Sequence, residues 1–134
     1  MMNLTGLARL FSGQGKPTDE CSLSVKEAAL AVQEKFASRP YCLVSDWTIL
    51  DLDVNAEELS ALHTRGLEPV LVYALCVVLD SRGRYQPRDW VRTSFQIGFE
   101  SPGYFLTKNT VYVLLGMGNR QGITLDELNA LVGR

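Results

Sequence analysis

Apolar residues recur along this chain with two different periods, and the switches between them mark out its elements. In "SVKEAALAVQEKFA" the positions Val25, Ala28, Ala29, Val32 and Phe36 fall on one helical stripe. Ser24 and Glu27 stand ahead of it as a capping box, each side chain satisfying the other's backbone N–H, and Pro40 ends the element. "NAEELSALHTRG" repeats this chemistry with Asn55, Glu58 and the stop at Gly66. "TLDELNALV" does so again, with Thr124 and Glu127 beside a Leu125, Leu128 and Val132 stripe. Leu4, Leu7, Leu10 and Phe11 predict a further short helix over residues 4–11, and the polar "SGQGKPTDEC" reads as a linker.

Elsewhere the pattern is that of strands. "YCLVSDWTILDLDV" is rich in β-branched and aromatic residues, and "EPVLVYALCVVLD" is apolar on both faces, as expected of a central strand covered on both sides. "RDWVRTSFQIGF" alternates, with Val91, Thr93, Phe95, Ile97 and Phe99 on one face and Trp90, Arg92, Ser94 and Gln96 on the other. "DSRG" and "ESPG" mark turns. "YFLTKNTVYVLLG" reads as one long strand or a hairpin about Lys108 and Asn109, and "GMGNRQG" as a loop. Together these elements predict an α+β fold: an antiparallel meander of about four to five strands with N-terminal helices and a C-terminal helix packed on it. A small, partly open β-barrel with helical additions is the alternative. The 134 residues suit one domain. Its parts are an N-terminal helix and linker (1–22), a helical part with one strand (23–66), and the meander with its closing helix (67–134).

Composition narrows the class. With 46% hydrophobic and 21% charged residues the chain is that of a globular protein. No apolar run is long enough for a membrane span, and "MMNLTGLARLFSG" lacks the basic and continuously apolar regions of a secretory signal. Cys21, Cys42 and Cys76 are odd in number with no C-x-x-C spacing, which predicts reduced thiols in a cytoplasm. Charge is unevenly spread. Residues 81–120 hold Arg82, Arg84, Arg88, Arg92, Lys108 and Arg120 against Asp89 and Glu100, while the first 80 residues are acidic. The basic window also carries Tyr85, Trp90, Phe95, Phe99, Tyr104, Phe105 and Tyr112.

Candidate chemistry elsewhere is thin. His63 is the one histidine, placed near a helix end, and no Ser/His/Asp arrangement can be built on it. Asp51 and Asp53, with Asp46 nearby, lead into the helix cap Asn55 and read as solvated turn carboxylates, so no metal is expected. "GMGNRQG" departs from the phosphate-binding loops because Gln121 stands where a third glycine is needed. No catalytic residue and no cofactor are predicted. The basic, aromatic face remains, and Trp90, Arg92, Arg84, Arg88, Tyr104 and Lys108 are its candidate binding residues. Trp, Tyr and Arg together are the composition of protein-interface hot spots. Rings beside arginines also suit single-stranded nucleic acid, although the net charge of −2 weighs against a phosphate partner. The structural alternative is a sheet face whose Trp90 is covered by the N-terminal helix, with Arg92 snorkelling to water.

"DWVRTS" and "TKNTVYVLLGMG" resemble a family of small bacterial and phage-encoded proteins of unknown function. The resemblance implies a setting near prophages, where small proteins bind and block host components, defence complexes among them. The expectation is therefore a non-enzymatic, cytoplasmic macromolecule-binding protein that does not enter a membrane. Its partner would be a bacterial host protein or complex, with a nucleic-acid-binding module as the second reading and a small enzyme as the third.

Overall fold

Each helix starts where its capping chemistry lies. In the computed structural model, which describes residues 16–21 and 23–132, Ser24 Oγ accepts from Glu27 N at 3.2 Å and Glu27 Oε1 from Ser24 N at 3.1 Å, opening α1 (Val25–Lys35). Asn55 and Glu58 do the same for α2 (Ala56–Thr64), which Gly66 ends in the left-handed conformation at φ 74°. Thr124 and Glu127 open α3 (Leu125–Val132). The predicted helix over residues 4–11 lies outside the described residues.

The strands are β1 (Lys16–Cys21), β2 (Tyr41–Leu52), β3 (Val70–Asp80), β4 (Val91–Arg92), β5 (Gly98–Glu100), β6 (Tyr104–Leu106), β7 (Val111–Leu114) and β8 (Gly116–Ile123). β2 is the hub. One of its edges pairs antiparallel with β3, which carries β4. The other edge takes β7 and then β8, both parallel to it. From β7 an antiparallel meander runs through β6 to β5, and β1 pairs antiparallel with β8. The fold is thus α+β, but its sheet is mixed and larger than the antiparallel meander the pattern predicts, and it does not close into a barrel. The extra strands come from the segments that read as linker and loop, Lys16–Cys21 and Gly116–Ile123.

Two left-handed residues let the hub serve both neighbours. Gly116, at φ 66°, joins β7 to β8 and absorbs the change of register along β2. Asp46, at φ 52°, sits between Val44 and Trp47, which both face the same core although alternation would oppose them. Aspartate tolerates this conformation better than most side chains. Trp47 is fully buried, donates its Nε1–H to Leu115 O at 3.0 Å, and lies against Gly118, where a Cβ would overlap the indole.

The sheet buries its inner face and the parts of its outer face that the helices cover, but Leu75 and Leu79 stay exposed, so β3 is not covered on both sides along its whole length as its apolar run predicts. The inner face packs Cys42, Val44, Trp47, Val72, Phe105 and Leu114 among others. Ala28 and Val32 of α1 cover Leu43, Tyr104, Leu106, Val111 and Val113. Leu128 and Leu131 of α3 cover Leu50, Leu71, Tyr73 and Ile123. Among the described residues no helix is long and apolar enough to cross a membrane.

A candidate interaction surface at the β4 edge

A left-handed residue precedes β4. Arg88, at φ 77°, donates its N–H to Val77 O at 2.7 Å, and Val77 N donates to Asp89 O at 2.7 Å, so two residues oppose one in a bulge. Val91 and Arg92 then pair with Ala74 and Tyr73. Val91 enters the inner core, which leaves Trp90 and Arg92 on the other face. There Trp90 stacks on Tyr73 at 5.6 Å between ring centroids and 23° between planes. Tyr73 is buried, while Trp90 is 38% exposed.

The predicted alternation through Phe99 stops at Thr93. Its N–H donates to Val72 O at 2.9 Å, but Val72 N donates to the Thr93 hydroxyl at 2.9 Å rather than to its carbonyl. The hydroxyl in turn donates to Ser94 O at 2.8 Å. The side chain thus replaces a ladder acceptor and interrupts the pairing with β3, which resumes where Gln96 N donates to Val70 O at 2.9 Å. By Ile97 the chain has crossed to the other sheet edge, where Ile97 N donates to Leu106 O at 2.8 Å. Phe95 is half-buried, and Ile97 and Phe99 are exposed, so the five residues of the predicted apolar face do not share one environment.

Three shallow depressions follow this segment. The first, about 530 Å³, is lined by Tyr85, Asp89, Trp90, Val91 and Arg92. Arg92 also lines the second, with Leu71, Thr93, Phe95 and Leu128. Phe95 continues into the third, against Leu52, Val54, Ala61 and Leu62. Arg92 and Phe95 therefore join the three into one furrow. Its sequence-predicted members are Trp90 and Arg92. Tyr85 and Phe95 line it as well and were hidden, because nothing local distinguishes a lining aromatic from a core one; Tyr73 is a core ring that braces Trp90.

The other candidate residues separate. Arg84 is structural: Nε and Nη2 donate to Asp80 Oδ2 and Oδ1 at 3.1 and 2.8 Å, and Nη1 to Thr110 Oγ1 at 2.9 Å. Burial alone would raise the Asp80 carboxyl, but the hydrogen bonds and charge of Arg84 outweigh it and hold the group below the usual carboxylate range. Tyr104 is no part of any outer surface. It is 3% exposed and meets Phe36 of α1 edge to face at 5.3 Å. Lys108 is exposed at the tip of the β6–β7 hairpin, apart from the furrow. Arg88 is exposed on the bulge. Neither Arg88 nor Arg92 has a carboxylate partner among the described residues, whereas Arg120 is paired bidentately with Asp51 at 2.9 and 2.8 Å.

The remaining candidates are accounted for locally. Asp51 of the D-x-D is that partner of Arg120, and His63 pairs with Glu68 at 3.0 Å. The glycines of "GMGNRQG" lie in β8 rather than in a loop. Cys42 is buried, and burial pushes its thiol up to about 12, which makes it inert as a nucleophile. Among the described residues no three His, Cys, Asp or Glu side chains come together to hold a metal.

No curated protein and no solved structure matches the chain. A family model does, over residues 19–130, a span that contains the β4 furrow and the "DWVRTS" and "TKNTVYVLLG" strings. That match covers most of the molecule, and the chain belongs to the family described as domain of unknown function DUF6957.

Proposed function

We propose that the protein is a non-catalytic binding module of the cytoplasm that docks another protein, a bacterial host component, along the β4 furrow. The observation that carries this reading is Trp90, stacked on a buried tyrosine and 38% exposed, beside an Arg92 without an ionic partner among the described residues. A ring braced in this way presents apolar area with little rotamer entropy left to lose on binding, the property of an interface anchor. The covered-face alternative assigns Trp90 to a cover by residues 4–11, which lie outside the described residues.

The test is site-specific photocrosslinking in bacterial cells, with the crosslinking residue at Ser94 in the furrow or at Lys26 on exposed α1. A discrete, nuclease-resistant protein adduct from position 94 and not from position 26 is expected. Trp90→Ala should remove it through a loss of about 2 kcal/mol or more in binding, with the fold retained by circular dichroism. Identical adducts from both positions, or an adduct indifferent to Trp90→Ala, would overturn the reading. A nuclease-sensitive adduct would replace the protein partner with nucleic acid.

A further inference from the structure

The first depression is lined from both sides of the strand: by Trp90 and Arg92 on one face, and by Val91 and Tyr85, which pack with the inner core, on the other. A hollow with that lining runs along an edge rather than across a face. The ladder gives its polarity. Thr93 N donates to Val72 O, and hydrogen-bonding alternates residue by residue in an antiparallel pair. The N–H and C=O of Arg92 therefore point away from β3, into this hollow. Charge adds a second constraint. Among the described residues Arg88 and Arg92 have no carboxylate partner, and the one carboxylate lining the hollow, Asp89, accepts from Gln86 N at 2.8 Å.

Resting on the reading above, we infer that β4 accepts an extended acidic segment of the partner as an added strand. In that arrangement the segment's backbone exchanges hydrogen bonds with Arg92. Alternate side chains place an apolar group against Trp90 and Tyr85 and a carboxylate against Arg92 or Arg88. Continuing past Arg92, the segment would follow the furrow toward Leu71, Leu128 and Phe95. From Trp90 to Phe95 the chain spans at most about 17 Å, the reach of five or six extended residues.

The experiment titrates the isotope-labelled protein with three capped hexapeptides and follows backbone amides by NMR. The first alternates glutamate and valine, the second lysine and valine, and the third is the glutamate peptide N-methylated at every amide. Saturable shifts centred on Trp90 and Arg92, with slowed exchange of the Arg92 amide, are expected for the glutamate peptide alone. The lysine peptide should bind at least tenfold more weakly, and the methylated one not at all. Arg92→Pro removes the outward N–H without touching the β3 ladder and should abolish binding, whereas Arg92→Ala should weaken it several-fold. Equal binding of the methylated peptide, shifts centred elsewhere, or no shifts at millimolar peptide would overturn strand addition. Crosslinking from Ser94 would stand or fall separately, so a partner seated on the side-chain face would still be seen.

Discussion

Replacing Arg84 with alanine separates a buried-pair cation of the basic window from those at the β4 edge. The change strips Asp80 of its Nε and Nη2 donors at 3.1 and 2.8 Å and leaves it the backbone N–H groups of Arg84 and Tyr85. The Asp80 side chain has no exposure in the parent, so only water entering the space left by the Arg84 side chain can replace the lost donors. Removing one partner of a buried pair costs about 3–5 kcal/mol. Arg84 itself is 35% exposed and two backbone donors survive, which lowers the expectation to about 2–3 kcal/mol. For a domain of this size that is roughly 6–15 °C in melting temperature. Arg92→Ala should stay within about 0.5 kcal/mol of the parent.

The same pair gives a pH signature. Because the folded Asp80 carboxyl lies below its unfolded value, the pair's contribution is complete above the unfolded value and is lost as pH falls through the folded one. In Arg84→Ala, burial is opposed only by the two surviving backbone N–H groups and the carboxyl rises from its place in the parent, so the variant has less to lose in acid. Thermal melts from about pH 7 down to about pH 3 should show a wide gap between parent and variant that closes under acid. Equal losses for Arg84→Ala and Arg92→Ala near neutrality, or a gap constant with pH, would refute the assignment of Arg84 to the interior.

Gly118→Ala should destabilise the fold by about 1–3 kcal/mol in urea unfolding, because the new methyl meets the Trp47 ring and carbonyl; an unchanged midpoint would mean the indole does not rest there. Thr93→Val leaves the buried Val72 N–H without its hydroxyl acceptor, for a loss of about 1–3 kcal/mol and faster exchange of that amide. Arg88→Gly relieves a left-handed strain of about 1–2 kcal/mol, partly offset by glycine's greater freedom when unfolded, and should raise the denaturation midpoint while Arg88→Val lowers it.

Local chemistry made the helices legible. Ser24–Glu27, Asn55–Glu58 and Thr124–Glu127 are satisfied within four residues of chain, so no distant contact can revise them. β2 and β3 were legible too, since long β-branched runs have few other uses. β1 and β8 were not. "KPTDEC" and "GMGNRQG" carry almost no apolar signal, and they pair because β8 lies against the second half of β2, a contact about 70 residues away in sequence. The glycine at 118 makes sense only once the Trp47 indole is above it. Within the furrow, Trp90 and Arg92 were found through composition. Arg84 and Tyr104 share that composition, and their burial depends on Asp80 and on α1, which pattern alone does not bring near them.

Edge strands are hazards, and this chain keeps two of them short: β4 has two residues and β5 three. At β4 the shortness has a built cause, the bulge at Arg88 before it and the Thr93 hydroxyl after it. So few ladder positions cannot hold a partner by backbone bonding alone, since each net hydrogen bond contributes only about 0.5–1.5 kcal/mol. Any stable complex at this edge must draw most of its affinity from side chains, and the two that flank the open backbone are a braced ring and an unpaired guanidinium. Under the proposed strand addition, the brevity that guards the edge against indiscriminate pairing would also make it selective. A segment without an apolar residue for Trp90 and a negative charge for Arg92 would gain too little from the ladder to stay bound.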